Sequence, residues 1–204
     1  MDTKAEGQAI DQSCLPERSK NRNRLARRRA SLLVRIALVC ALSGGPAPPA
    51  SEELIYRQPI DRIEEVITRD HARIDFINTA DKRGALRIEA RSPMEVDLFR
   101  LDRLDFDNAR LFYRAKMRVG ALKGEAYLVL RCRLGNSQNE VVAEGLQYAL
   151  SGTTDWVDAE LVLYLHTQER PRDLRFQVRI AGKGVVWVDD VRVYRAPLIE
   201  PSSN

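Results

Sequence analysis

The stretch ARLFYRAKMRVGALKGEAYLVLRCRL (109–134) carries the most regular pattern in this 204-residue chain. From 109 to 119, Leu111, Tyr113, Ala115, Met117 and Val119 fall on one face, and Arg110, Phe112, Arg114, Lys116 and Arg118 on the other. From 125 to 134 the alternation returns, with Ala126, Leu128, Leu130, Cys132 and Leu134 together and Tyr127, Arg131 and Arg133 opposite. A period of two belongs to an extended strand with one face on a core and one in water. The segment between, Val119-Gly120 to Gly124, reads as a turn, so two strands are predicted here.

The same period continues on both sides. LRIEA (86–90) alternates, VDLF (96–99) makes a short strand after Pro93, and 157–166 places Val157, Ala159, Leu161, Leu163 and Leu165 inward. Residues 174–180 set Leu174, Phe176, Val178 and Ile180 against Arg175, Gln177 and Arg179, and 185–194 form a last strand. Turn residues separate these runs at 81–84, 135–137, 151–153, 171 and 182–184. Short strands at this spacing, with no helices between them, predict an all-β, antiparallel β-sandwich. Residues 59–67 read either as a short helix or as an irregular lead-in.

The net charge of +4 is unevenly placed. Residues 1–50 hold nine of the 33 basic side chains and four of the 29 acidic ones, which leaves 24 basic and 25 acidic residues from Ser51 onward. The domain is close to neutral, which argues against nucleic acid as a partner. The basic run RSKNRNRLARRRASLLVR (18–35), the apolar stretch Ile36–Leu42 and the small residues SGGPAPPA are the parts of a secretory leader. The apolar part is too short to span a bilayer, which takes about 20 residues. The expected organisation is a leader and Pro-rich spacer (1–50), one domain (51–198) and a disordered tail (199–204). A secreted or periplasmic location follows, with membrane contact only through the leader. Cys14 and Cys40 lie in the leader, so Cys132 has no partner for an internal disulfide and, on the apolar face, is expected to be buried and inert.

The C-terminal stretch GKGVVWVDDVRVYRAPL (182–198) resembles the closing strand of galactose-binding-like and carbohydrate-binding-module jelly rolls. DKRGALRIEA (81–90) and SGTTDW (151–156) resemble segments of the same domains, in the same order. The whole pattern also looks like a group of uncharacterised bacterial exported proteins. The resemblance implies a jelly-roll fold and a non-catalytic, glycan-binding role. It also implies a structural calcium at Asp189 and Asp190, although no clear N-terminal carboxylate partner stands out among Glu64, Glu65 and Asp75.

Catalytic signatures are missing from the sequence: there is no HExxH, CxxC pair, phosphate loop or G-x-S-x-G elbow, and the only histidines are His71 and His166. The carboxylates Asp102, Asp105 and Asp107 cannot be given a separation from spacing alone. Trp187 shares its parity with Val185 and Val191 and is expected in the core. Asp189 shares that parity too, and must be hydrogen-bonded, metal-bound or displaced by a bulge. The outward set Arg114, Lys116, Arg118, Tyr127, Arg131, Arg133, Arg175 and Arg179 is the candidate ligand surface, provided the strands share a sheet. Such a face would bind glycan or acidic polysaccharide, with Tyr127 as a stacking platform. The alternative is cross-strand pairing with Glu125, Glu160 and Asp158, and a structural or protein-interaction domain with no small ligand.

Overall fold

The computed structural model describes residues 51–198, so the leader and tail expectations lie outside the described residues. Ten strands form: β1 (Glu53–Gln58), β2 (Ala72–Asp75), β3 (Ala85–Ala90), β4 (Met94–Arg103), β5 (Ala109–Leu134), β6 (Glu140–Glu144), β7 (Leu150–Gly152), β8 (Val157–Leu165), β9 (Pro171–Ile180) and β10 (Lys183–Pro197). All pairings are antiparallel. One layer, sheet A, runs β2-β3-β10-β5-β8, with β1 on β10 beyond the end of β3. The other, sheet B, runs β4-β9-β5-β6, with β7 beside β5 at Leu122 and Ala126. The fold is the expected antiparallel β-sandwich, and residues 59–67 contribute only a 3-10 turn at Ile63–Glu65.

The two strands expected at 109–134 are one. β5 pairs β10 and β8 through its first half, and β9 and β6 through its second. Gly120–Gly124 therefore bends the chain instead of reversing it. Registers slip there, between Lys183 and Val185 on β10 and between Leu122 and Ala126 on β5. Ala121 (φ 48°) and Gly124 (φ 115°) take left-handed backbone. A bulge of this kind sharpens strand twist and shifts side-chain parity. The inward residues accordingly pass from Leu111–Val119 (odd) to Ala126–Cys132 (even), and all of them are buried in the same core.

Aromatic side chains join the layers. Phe99 of β4 stacks on Phe176 of β9 (4.4 Å, 8°), and Tyr113 of β5 meets Phe176 edge-on (5.1 Å, 88°). The Tyr113 hydroxyl donates to the Gln177 carbonyl at 3.2 Å, so a sheet A side chain satisfies its polar end on sheet B. Burying a ring such as Phe176 contributes about 2 to 3 kcal/mol. Cys132 is buried as expected, and burial pushes its thiol up to about 11, which keeps it protonated.

Trp187 corrects its expectation. The core residues of β10 are Val186, Val188, Val191 and Val193, so Trp187 lies on the outer face of sheet A. Arg87 and Arg118 sit over its ring at 5.8 and 5.3 Å, and Nε1 donates to Asp75 at 2.8 Å. An apolar run at the start of β10 hid the parity, and the two guanidinium groups cover what the core does not.

The bend gives a direct test. A Cβ at Gly124 would collide with the Ala181 carbonyl in a backbone conformation that L residues rarely adopt. Gly124→Ala is expected to lower unfolding stability by about 2 kcal/mol or more, read as a lower urea midpoint. An unchanged midpoint would contradict a bend held at this glycine.

Candidate functional site

The eight outward residues do not share a surface, which corrects the single-sheet premise. Arg114, Lys116 and Arg118 emerge on sheet A, while Tyr127, Arg131, Arg133, Arg175 and Arg179 emerge on sheet B, because β5 changes layer between them. On sheet A, Arg114 pairs with Glu52 and Glu160, and Lys116 with Asp158 at 2.9 Å. Arg118 donates to Asn78 at 3.0 Å. Arg114 also covers Phe112 and Tyr194 at 4.8 and 5.0 Å. The expected cross-strand pairing with Glu160 and Asp158 is therefore present.

On sheet B the strand registers alone would set like charges together: Arg131 faces Arg175, which faces Arg100. Carboxylates from β4 and β6 are interleaved and relieve this. Arg131 is 20% exposed and donates to Gln177 at 3.0 Å, Glu95 at 3.0 and 3.2 Å, and Glu140 at 3.3 Å. Burial opposes its charge, and the bonds to Glu95 and Glu140 outweigh burial, so its pKa is raised. Arg175 pairs with Glu140, and Arg179 with Glu95 and Glu144 at 3.5 and 3.4 Å. Arg133 pairs with Asp173 at 2.6 Å. Asp97 holds Arg100 at 2.7 Å; burial raises its pKa, but the bonds from Arg100 and Gln177 bring it below the usual carboxylate range. Tyr127 is only 6% exposed, and burial raises the pKa of its phenol. It cannot serve as the stacking platform expected of it.

What the face does offer is a depression of about 430 Å³. It is lined by Arg100, Asp102, Arg133, Glu140, Asp173 and Arg175, with Leu101 and Cys132 at its floor-forming strands. It forms where β9 bulges: Arg131 and Arg133 oppose Arg175 and Arg172, and Asp173 takes φ 53°. A second, wider hollow of about 750 Å³ takes in Arg103, Asp105, Asp107, Arg170 and Arg172. Sequence reading noticed Asp102, Asp105 and Asp107 but could not divide them between two hollows. Glu140 and Asp173 were missed. The alternation of Glu140, Val142 and Glu144 with the inward Val141 and Ala143 is the signal for β6, although its short length makes it weak.

Asp189 and Asp190 sit at the closing-strand bulge, where Asp189 faces Lys116 and Arg192 faces Arg114. Asp189 is fully buried and accepts hydrogen bonds from the Asp190 N–H at 2.6 Å and the Ala80 N–H at 3.1 Å. Burial, with the nearby charges of Asp81 and Asp190, pushes its carboxyl up to about 6. Asp190 (φ 47°) turns instead to Arg57 at 2.9 Å and to Arg192. The two carboxylates thus serve different donors. Among the described residues no group of three His, Cys, Asp or Glu side chains is gathered to hold a cation. A cation at this pair, as the resemblance implies, would therefore have to draw further oxygen ligands from backbone carbonyls.

Layer order, strand direction and the continuous β5 make an antiparallel β-sandwich of jelly-roll type. The CBM22-1 xylan-binding domain of Xyn10C from Paenibacillus barcinonensis matches with a TM-score of 0.50 at 9% identity, over 74% of this chain and 99% of its own. The CBM22-1–GH10 modules of Xyn10B from Clostridium thermocellum, complexed with xylohexaose, also match with a TM-score of 0.50 at 9% identity, over 74% of this chain. The present chain covers 30% of that longer protein. At this identity the likeness is one of fold. No family model matches the sequence, and no curated protein does.

Arg131 and Arg133 differ in what they support. Arg131→Gln takes from Glu95 its nearest donor and from Glu140 one of its two donors, and is expected to cost about 1 to 2 kcal/mol of unfolding stability. Arg133→Gln, at an exposed pair, is expected to cost less than about 0.5 kcal/mol. Equal melting temperatures for the two variants would contradict this division.

Proposed function

We propose that the domain is a non-catalytic module that binds a neutral glycan chain in the depression over sheet B. The observation that carries this reading is the lining: three guanidinium and three carboxylate groups converge on one hollow of about 430 Å³. Sugar hydroxyls both donate and accept, and a surface of fixed donors beside fixed acceptors suits them. The fold, shared with glycan-binding modules, supports the same reading. The acidic polysaccharide expected earlier finds less support, because each arginine of this face is engaged by a carboxylate and the lining has no net charge. A charge-balanced face gives little long-range attraction to a polyanion.

Location belongs to the same proposal. The basic leader supports a module that works outside the cytoplasm, with a mature N-terminus between Gly44 and Ser51. Intact Met1 on the cytoplasmic protein, seen by mass spectrometry, would contradict it.

Binding is tested by affinity electrophoresis of residues 45–204 through gels containing xylan, β-glucan, cellulose derivatives or acidic polysaccharides. Retardation by a neutral polysaccharide is expected, nearly independent of salt, and Arg133→Gln should weaken it several-fold with the melting temperature kept. Retardation by acidic polymers alone, abolished by salt, would overturn the neutral-glycan reading. No retardation by any polymer would favour the structural or protein-interaction alternative.

A further inference from the structure

Two large apolar side chains stand together in solvent where β2 ends: Phe76 is 70% exposed and Ile77 is 90% exposed. Their loop is firmly tied. The Asp75 carboxylate accepts hydrogen bonds from the Ile77 N–H at 2.9 Å, the Asn78 N–H at 3.1 Å, Asn78 Nδ2 at 3.0 Å and Trp187 Nε1 at 2.8 Å. Arg118 donates to Asn78 Oδ1 at 3.0 Å, and the Ala80 N–H donates to buried Asp189 at 3.1 Å. Polar groups therefore hold the turn in shape on both sides of the tip, while its two apolar side chains are turned out. A turn that served only to connect β2 and β3 could carry polar residues there without the hydration cost.

The same edge of sheet A is basic. β2 is the edge strand, and its Arg73 lies opposite Arg87 of β3. A depression of about 190 Å³, running from these arginines toward the end of β2 away from Phe76, is lined by His71, Arg73, Arg87, Glu89 and Arg91. Three guanidinium groups face one carboxylate, Glu89, which is already held by Arg87 at 3.0 Å. This cationic excess is larger than in either hollow on sheet B.

We propose that this edge docks the domain on an anionic lipid bilayer. Phe76 and Ile77 enter the interfacial layer at one end of β2, and the exposed Arg73 and Arg91 meet lipid phosphates along its length. The juxtaposition selects the partner: a soluble polyanion would engage the arginines and leave the apolar tip in water, whereas an anionic membrane surface uses both. The glycan hollow lies on the opposite sheet, so the two contacts do not compete for residues.

Residues 51–198 hold the whole core, so the 45–204 fragment is used without the basic leader, whose own arginines would bind lipid. The experiment is co-sedimentation with vesicles of phosphatidylcholine alone, or with about 30% phosphatidylglycerol. Sedimentation is expected only with the anionic vesicles and should weaken as salt rises. The double variant Phe76→Ser/Ile77→Ser should lose affinity by about tenfold or more, as should Arg73→Gln/Arg91→Gln, each with an unchanged melting temperature. Absence of sedimentation with anionic vesicles overturns the proposal, as does a Phe76→Ser/Ile77→Ser variant that sediments like the parent. Binding to heparin without binding to vesicles assigns the arginines to a soluble polyanion and overturns it equally.

Discussion

Between Val119 and Glu125 the longest strand passes from one layer to the other while it stays hydrogen-bonded to neighbours on either side of the bend. Its inward residues are odd-numbered before the bend and even-numbered after it. A straight strand would carry Leu128, Leu130 and Cys132 to the solvent side, since a one-residue slip exchanges the faces of everything that follows. The bulge restores them to the core. Close backbone approach makes this feasible: Gly124 lies against Ala181, and Gly182 against the Lys123 carbonyl, leaving no room for a Cβ at either position. The β9–β10 turn and the β5 bend are thereby packed as one unit, and both sheets are built outward from it.

Much of the sandwich was legible because alternation is a direct image of a half-buried sheet. β3, β8, β9 and β10 lie where period two placed them, and the buried Cys132 follows from the same pattern. What the pattern could not convey was continuity. Gly120 and Gly124 look alike whether a chain reverses or bends, and only the partner strands decide which occurs. β1, β2, β6 and β7 went unread because three to six residues hold too few alternations to stand out. Trp187 reads as a core residue for a related reason: the bulge between Asp189 and Arg192 changes parity within a run that reads as continuous, and it is at this bulge that the buried Asp189 finds its hydrogen bonds.

The candidate surface was legible in its halves and not in its assembly. Period two correctly sent Arg114, Lys116, Arg131, Arg133, Arg175 and Arg179 outward, but it carries no information about which layer they leave from. It also omits the carboxylates, because Glu95 comes from β4, 36 residues before Arg131, and Glu140 from a strand of only five residues. With both halves in place, the arginines are components of a network. Arg131 at its centre bridges three strands through Gln177, Glu95 and Glu140, and the exposed members Arg100, Arg133 and Arg175 line the hollow at its edge. Rigid, mutually oriented donors and acceptors lose little conformational freedom when a ligand replaces their water.

The proposed glycan binding therefore rests on a hollow whose arginines are already held in position by carboxylates. Its most direct test is a nuclear magnetic resonance titration of residues 45–204 with xylohexaose and comparable neutral oligosaccharides, following the arginine Nε–Hε signals together with the backbone amides. The expected result is a saturable shift at Arg100, Arg133 and Arg175 and in the amides of β5 and β9 that flank them, with sheet A unchanged. Shifts confined to sheet A, or none with any neutral oligosaccharide, would contradict it.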